Sequence, residues 1–197
     1  MDEIACINSV ALGNEKALEQ LYHLYSDKVY NTIISYLKNA EDAEEVMQDV
    51  FITIFNAAEK FNYKSSVSTW IYRVTVNKSL DFLRKKNSKK RKVLFTSIYV
   101  KGEEEVKLEP VDFDHPGIKL EKKENARLLF DALDQIPDMQ KTAFILTQIE
   151  GLPQNEVAEI MNTTRKSVES LLGRAKKNLR TTLERFILTG GMKNFNI

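Results

Sequence analysis

The sequence predicts an all-α protein of two small helical domains joined by a polar linker, the second being a helix-turn-helix domain. Three observations carry this. Apolar residues recur at helical spacing through both ends of the chain. Gly and Pro are scarce, at 7 and 4, too few for the many tight turns of an all-β fold. After a densely basic run from Arg84 to Lys92, the stretch Tyr99 to Glu124 is polar and largely acidic, with no sustained periodicity, which reads as a linker. The predicted division is 1–95, a linker over 96–124, and 125–197.

Composition narrows the function classes. A length of 197 residues allows one or two domains, and 43% hydrophobic residues suffice for packed cores. No apolar run approaches the roughly 20 residues of a membrane span. The start MDEIACINSV has neither the basic opening nor the apolar block of a signal peptide. The single cysteine, Cys6, excludes an internal disulfide framework and fits a reducing cytoplasm. A net charge of +1 does not announce a nucleic-acid binder, so the placement of charge matters more than its sum.

The first helical stretch runs from about Glu15 to Leu37, with Leu18, Leu21, Tyr22, Tyr25, Val29, Ile33, Ile34 and Leu37 at helical spacing. Ser26-Asp27 is a capping pair that offers a break into two helices. His23 has no second ligand nearby and reads as structural.

The next helix covers Glu41 to Lys60. Val46, Val50 and Ile54 repeat at i+4, and the other face is acidic: Glu41, Asp42, Glu44, Glu45 and Asp49. No basic residue occurs from Asn39 to Ala58. The helix macrodipole accounts for acids in the first turn, but not for Asp49 two turns in. An unpaired acidic face carrying Gln48 is either solvated or a docking surface for a basic partner. Acid-base catalysis is rejected, because no His, metal-ligand partner or Gly-rich loop accompanies the carboxylates.

The stretch from Phe61 to Lys92 opens as a polar, aromatic-bearing loop and continues as a helix ending in dense positive charge. Tyr72, Val76, Leu80 and Leu83 form one apolar stripe; Trp70, Arg73, Asn77, Asp81 and Arg84 form another, mostly polar. Rings stack on bases while Lys and Arg neutralise phosphates, so this pattern suits unpaired nucleic-acid strands. The alternative is an ordinary amphipathic helix with Trp70 half buried.

In the linker, Val93-Leu94-Phe95 is apolar enough to pack on the first domain, and His115 beside Pro116 reads as a loop residue. The second domain then shows a helix ending before Pro137, another from about Asp138 to Glu150 closed by Gly151, a short one over Gln154 to Met161, and a longer one after Thr164. A short helix, a tight turn at Asn162-Thr163 and a longer helix make a helix-turn-helix pattern. Arg165, Lys166, Ser167, Glu169 and Ser170 lie at the end that enters the major groove in this motif, and Arg174, Lys176, Lys177 and Arg180 lie where phosphates would be.

Three segments in this order, EDAEEVMQDVFITIF, SSVSTWIYRVTVNKSLDFLRKK and LPQNEVAEIMNTTRKSVESLLGRAKKNLRTTL, resemble the extracytoplasmic-function (ECF) group of bacterial sigma factors, the promoter-recognition subunits of RNA polymerase in the sigma-70 family. The resemblance covers about Asn14 to Leu183 apart from the linker. It implies that Asp42, Glu44, Glu45, Gln48 and Asp49 dock on the clamp helices of the largest catalytic subunit of core polymerase. It implies that the second domain meets the flap of the second-largest subunit. It implies that Lys64, Ser65, Ser66, Thr69, Trp70, Arg73 and Asn77 capture the melted minus-ten strand, with Arg84 and Lys85 on phosphates. Thr164, Arg165, Lys166, Ser167, Glu169, Ser170, Arg174 and Lys177 would read the minus-35 duplex. Core polymerase, promoter DNA and an anti-sigma factor are the implied partners. No enzyme activity, cofactor, metal, small-molecule substrate or membrane insertion is implied, and the compartment is the cytoplasm.

Two positions depart from the pattern. Many members carry basic residues where this chain has Glu169 and Leu171, so no relative's promoter sequence transfers to it. The competing reading is a stand-alone helix-turn-helix regulator that binds duplex DNA without polymerase and has no use for the acidic helix.

Overall fold

The computed structural model describes residues 2–99 and 123–190. The chain opens on a helix outside the elements predicted above: α1 (Glu3–Ala11), capped by the Asp2 carboxylate, which accepts from the amides of Ile4 at 3.0 Å and Ala5 at 3.3 Å. It buries Cys6, Ile7 and Val10 against the rest of the domain. The Cys6 thiol donates to the Ala17 carbonyl at 3.2 Å, and burial followed by the nearby Glu3 carboxylate pushes its pKa up, so it is an inert packing group.

Next comes α2 (Glu15–Leu37), capped by Asn14. The break offered by Ser26-Asp27 does not occur. The stripe Leu21, Tyr25, Val29, Ile33 runs straight through that point with every member buried, and burying such a face outweighs a local cap. The helix ends where Lys38 adopts the left-handed conformation at φ 57°. Asn39 then caps α3 (Ala40–Ala57), its side-chain oxygen accepting from Asp42 N at 2.8 Å. Ala43, Val46, Val50, Phe51 and Ile54 face inward.

After a 3₁₀ turn and a short loop, α4 runs Val67–Tyr99. Ser66 starts it: its hydroxyl oxygen accepts from Thr69 N at 3.0 Å and its proton goes to Thr69 Oγ1 at 2.9 Å. The helix continues through the basic run and past residue 95, the predicted domain boundary, because Lys and Arg are good helix formers and nothing in Lys85–Phe95 breaks it. The side chains of Val93-Leu94-Phe95, and the linker with His115, lie outside the described residues.

The second half contains α5 (Lys123–Leu133), α6 (Asp138–Phe144), α7 (Gln154–Ile160) and α8 (Arg165–Gly190). The helix predicted to reach Glu150 instead widens after Phe144 into a π turn over Ile145–Ile149, with Glu150 N bonded to Ile145 O at 3.0 Å. Gly151 follows at φ 70°, a conformation that penalises any Cβ. Phe130, Leu133, Leu146, Val157, Val168, Ala175 and Leu179 form this half's core.

The two halves pack together. The Tyr36 hydroxyl donates to Thr142 Oγ1 at 2.9 Å, both side chains being buried. Lys38 reaches across to Asp131 at 2.9 Å and to Asp134. Burial lowers the Lys38 pKa, but the ion pairs with Asp134 and Asp131 outweigh it and raise the value overall. Buried apolar residues of both halves belong to one contiguous cluster.

Candidate nucleic-acid interface

On α3 the apolar repeat that packs the core turns the intervening positions outward. Glu44, Glu45, Gln48 and Asp49 are exposed on one side of the helix, joined by the exposed Ile52. Asp42 is different. Lys86, from α4, forms an ion pair with it, and the Asp42 side chain keeps only 20% of its exposure. The face is therefore not wholly unpaired, and the cation comes from outside the Asn39–Ala58 window, where sequence inspection does not look.

The loop after α3 is built rather than slack. Phe61 is buried as its anchor and stacks near Trp70, with ring centroids 5.2 Å apart. The Asn62 side chain accepts from Lys64 N at 3.2 Å. Tyr63 sits at φ 59°, is 56% exposed, and hydrogen-bonds through its hydroxyl to Asn8 of α1. Ser66 closes the loop by capping α4. Lys64 and Ser66 are exposed and Ser65 partly so, but Thr69 is buried at 1% exposure. Thr69 thus holds the start of the helix and has no face to offer a strand.

Along α4, the polar stripe emerges on the surface: Trp70 and Arg73 are partly exposed, and Asn77, Arg84 and Lys85 are exposed. Arg73 and Arg84 are already engaged. Arg73 donates to the carbonyls of Glu159 at 2.7 Å and Ile160 at 3.4 Å, at the C-terminal end of α7. Arg84 pairs with Asp81 at 3.3 Å and Asp138 at 3.6 Å. Trp70, Arg73, Asn62, Lys64 and Ser65 form one wall of a cavity of about 540 Å³, and Ala158, Glu159, Asn162 and Thr163 form the other. Asn62 and Tyr63 are the members of this loop that side-chain chemistry alone did not single out; the aromatic in FNYKSS is the signal for Tyr63.

The helix-turn-helix is formed by α7, a turn in which Asn162 takes φ 50°, and α8. Thr163 N bonds to Ala158 O at 2.9 Å, closing α7, and Thr164 Oγ1 accepts from Ser167 N at 3.2 Å, opening α8. Val168, Leu171, Leu172 and Ala175 are buried, which explains why Leu171 is not a basic reader. Thr164, Arg165, Lys166, Glu169, Ser170, Arg174 and Lys177 are exposed and Ser167 partly so. Arg174 is folded back on Ser170, its guanidinium donating to Ser170 Oγ at 2.9 Å. Among the described residues no group of three or more His, Cys, Asp or Glu side chains is placed to hold a metal ion, and no helix is long and apolar enough to cross a membrane.

These features define the class first: an all-helical protein of two packed halves with a helix-turn-helix in the second. Residues 21–89 match the family Sigma-70 region 2, and residues 126–179 match Sigma-70, region 4. The chain is 30% identical over 154 residues to the RNA polymerase sigma factor SigV of Bacillus subtilis, covering 78% of this chain and 83% of that one. It is 29% identical over 182 residues to the ECF RNA polymerase sigma-E factor of Haemophilus influenzae, covering 91% and 94%. Its fold is similar to CnrH in complex with the cytosolic domain of CnrY, at TM-score 0.65 and 21% identity over 93% of this chain and 97% of that one. The sigma factor RpoE of Bartonella quintana, solved with the anti-sigma factor NepR, gives 0.58 and 21% over 86% and 98%. The chain belongs to the sigma-70 family, in its ECF group, and is a promoter-specific initiation factor of RNA polymerase. The stand-alone regulator is not favoured.

Proposed function

We propose that this protein docks on core RNA polymerase through α3, captures the melted minus-ten strand with the Asn62–Ser66 loop and the polar stripe of α4, and reads the minus-35 duplex with the N-terminal end of α8. The observation that carries this is the segregation of charge: an exposed acidic face on α3, and exposed basic and amide groups on α4 and α8, each on a separate rigid helix. Glu44, Glu45, Gln48 and Asp49 meet the clamp helices, while Asp42, tied to Lys86, fixes the face rather than leading the contact. Lys64, Ser65, Trp70, Arg73 and Asn77 contact the strand, and one base leaves the stack at a cost of a few kcal/mol. Ser66 and Thr69 position the loop, and Arg84 and Lys85 lie along phosphates.

On α8, Arg165, Lys166, Ser167, Glu169 and Ser170 face base edges, Glu169 being suited to accept from cytosine N4. Thr164, Arg174 and Lys177 hold the backbone. Residues 1–95 supply docking and strand capture, 96–124 connect, and 125–197 read the duplex and meet the polymerase flap. The protein acts in the cytoplasm, carries out no reaction of its own, needs no cofactor, and is controlled by an anti-sigma factor, as its solved relative is paired with one. Run-off transcription with core polymerase on the chain's own upstream DNA tests the reading. Transcript that depends on both proteins supports it; a chain that ignores core enzyme yet binds duplex alone overturns it.

A further inference from the structure

In this structure the helix-turn-helix packs over part of the proposed strand-capture face, at Trp70 and Arg73, while Asn77, Arg84 and Lys85 stay exposed. Arg73 is engaged by the carbonyls of Glu159 and Ile160 at the end of α7, and α7 with its turn forms the far wall of the cavity beside Trp70, Lys64 and Asn62. The two promoter elements named above are separated by about 25 base pairs, on the order of 80 Å of duplex at about 3.4 Å per step. A chain in this closed arrangement cannot span them, so it must open.

One half-buried group at the junction is chemically unlike the rest. Glu150 follows the π turn and points at α2 and α4, where Thr32, Tyr36 and Tyr72 surround it. Its Oε1 is buried with no hydrogen-bond partner among the described residues. The Thr32 hydroxyl, bonded to Lys28 O at 2.8 Å, is the one neighbour that favours the carboxylate, and burial outweighs it. From α7, Glu156 shares the surroundings of Tyr72 and adds negative charge; from α6, Asp138 acts on Tyr36. Lys141, which lies 5.4 Å from the centre of the Tyr36 ring, is committed to Asp134 at 2.6 Å.

We propose that Glu150 is a proton-operated latch between the two halves: its neutral carboxyl favours the closed arrangement and its carboxylate opposes it. Burial in the closed form lifts its pKa from the ordinary 4.5 to about 7. The closed form therefore holds a proton that a solvated Glu150 releases. Closure is fully favoured below 4.5, weakens by about tenfold per pH unit as pH rises toward 7, and is flat above that. The other carboxylates at the junction, Asp131, Asp134 and Asp138, are paired with Lys38, Lys141 and Arg84. His23 pairs only with Glu19, at 3.8 Å on an exposed face. That closure silences strand capture rests on the function proposed above; the latch itself does not.

The experiment follows energy transfer in the full chain between dyes on cysteines introduced at the exposed Glu19 and Glu184, from pH 5 to 8. The closed-to-open ratio should rise about tenfold per unit below pH 7 in the parent, and Glu150→Gln should remain closed throughout. Carbon-13 NMR of the Glu150 carboxyl in the unsubstituted chain supplies a second reading, with a midpoint near 7 expected. A parent with no pH response, an undiminished response in Glu150→Gln, or a Glu150 that titrates like a solvated carboxyl would each overturn the latch. If the distances respond as expected while capture of a minus-ten single strand does not follow closure, the latch stands and the strand-capture reading fails.

Discussion

Asp134 holds two ammonium groups at once. Its Oδ1 accepts from Lys141 Nζ at 2.6 Å, and its Oδ2 pairs with Lys38 from the other half. The Lys141 side chain is only 5% exposed. Asp134→Ala therefore leaves a nearly dry ammonium facing the Tyr36 carbonyl at 3.4 Å and little else. Orphaning one member of a buried pair costs about 3–5 kcal/mol. The Asp134 side chain is 35% exposed, so water entering the vacated space returns part of that, and we expect a loss of about 2 kcal/mol. With a urea slope of about 2 kcal/mol per molar, the unfolding midpoint should fall by about 1 M. The cause is isolated by adding Lys141→Met, which keeps the stem's bulk and removes the charge. The double variant should recover most of the loss, because two absent charges need no partner, and Lys38 still has Asp131 at 2.9 Å. If the double variant unfolds at or below the midpoint of Asp134→Ala alone, the orphaned ammonium is not what destabilises the protein.

Three further outcomes follow from the placement of side chains. Glu45→Lys combined with Asp49→Lys should weaken binding to core polymerase by tenfold or more at low salt, as about 1.4 kcal/mol or more is lost, while urea unfolding is nearly unchanged because both are exposed. Ser66→Ala removes the cap of α4 and should cost about 1 kcal/mol in urea unfolding, with slower open-complex formation than the parent; an unchanged midpoint would show the cap to be idle. Arg165→Ala combined with Lys166→Ala should abolish discrimination at the minus-35 element, and footprinting against salt should show the slope reduced by up to about 2.

Much of the fold is legible in the sequence because exposure and burial alternate with the helical period. The apolar stripes of α2, α3, α4 and α8 are the ones that pack, and their intervening polar residues emerge where spacing puts them. Two elements were not legible for physical reasons. In α1, nine residues give too short a window for a period to stand out, although Asp2 is a sound cap and Ile7 and Val10 are nearly fully buried. The π turn has no local signature at all; it is one extra residue accommodated within an apolar run, and the run looks the same with or without it.

The site divides along the same line. That Glu45, Asp49, Asn77, Arg165 and Lys166 stand exposed is a matter of helical phase, which a window of a few turns carries. That Arg73 is engaged is not, because its partners lie 86 and 87 positions away and are backbone carbonyls, which every sequence has. Tyr36 and Thr142 are 106 positions apart, and a tyrosine on an apolar face looks the same whether or not its hydroxyl finds a distant threonine. Composition can announce that a surface is charged, but only the packing of the halves says which charges are already paired. The residues most open to sequence reading are thus those free to meet an outside partner, such as Glu45 and Lys166. The least open are those that couple one half to the other, and Arg73 belongs to both groups. In the closed arrangement the α7 carbonyls take its guanidinium, and the strand capture proposed above would need the same donors, so the two uses would exclude each other.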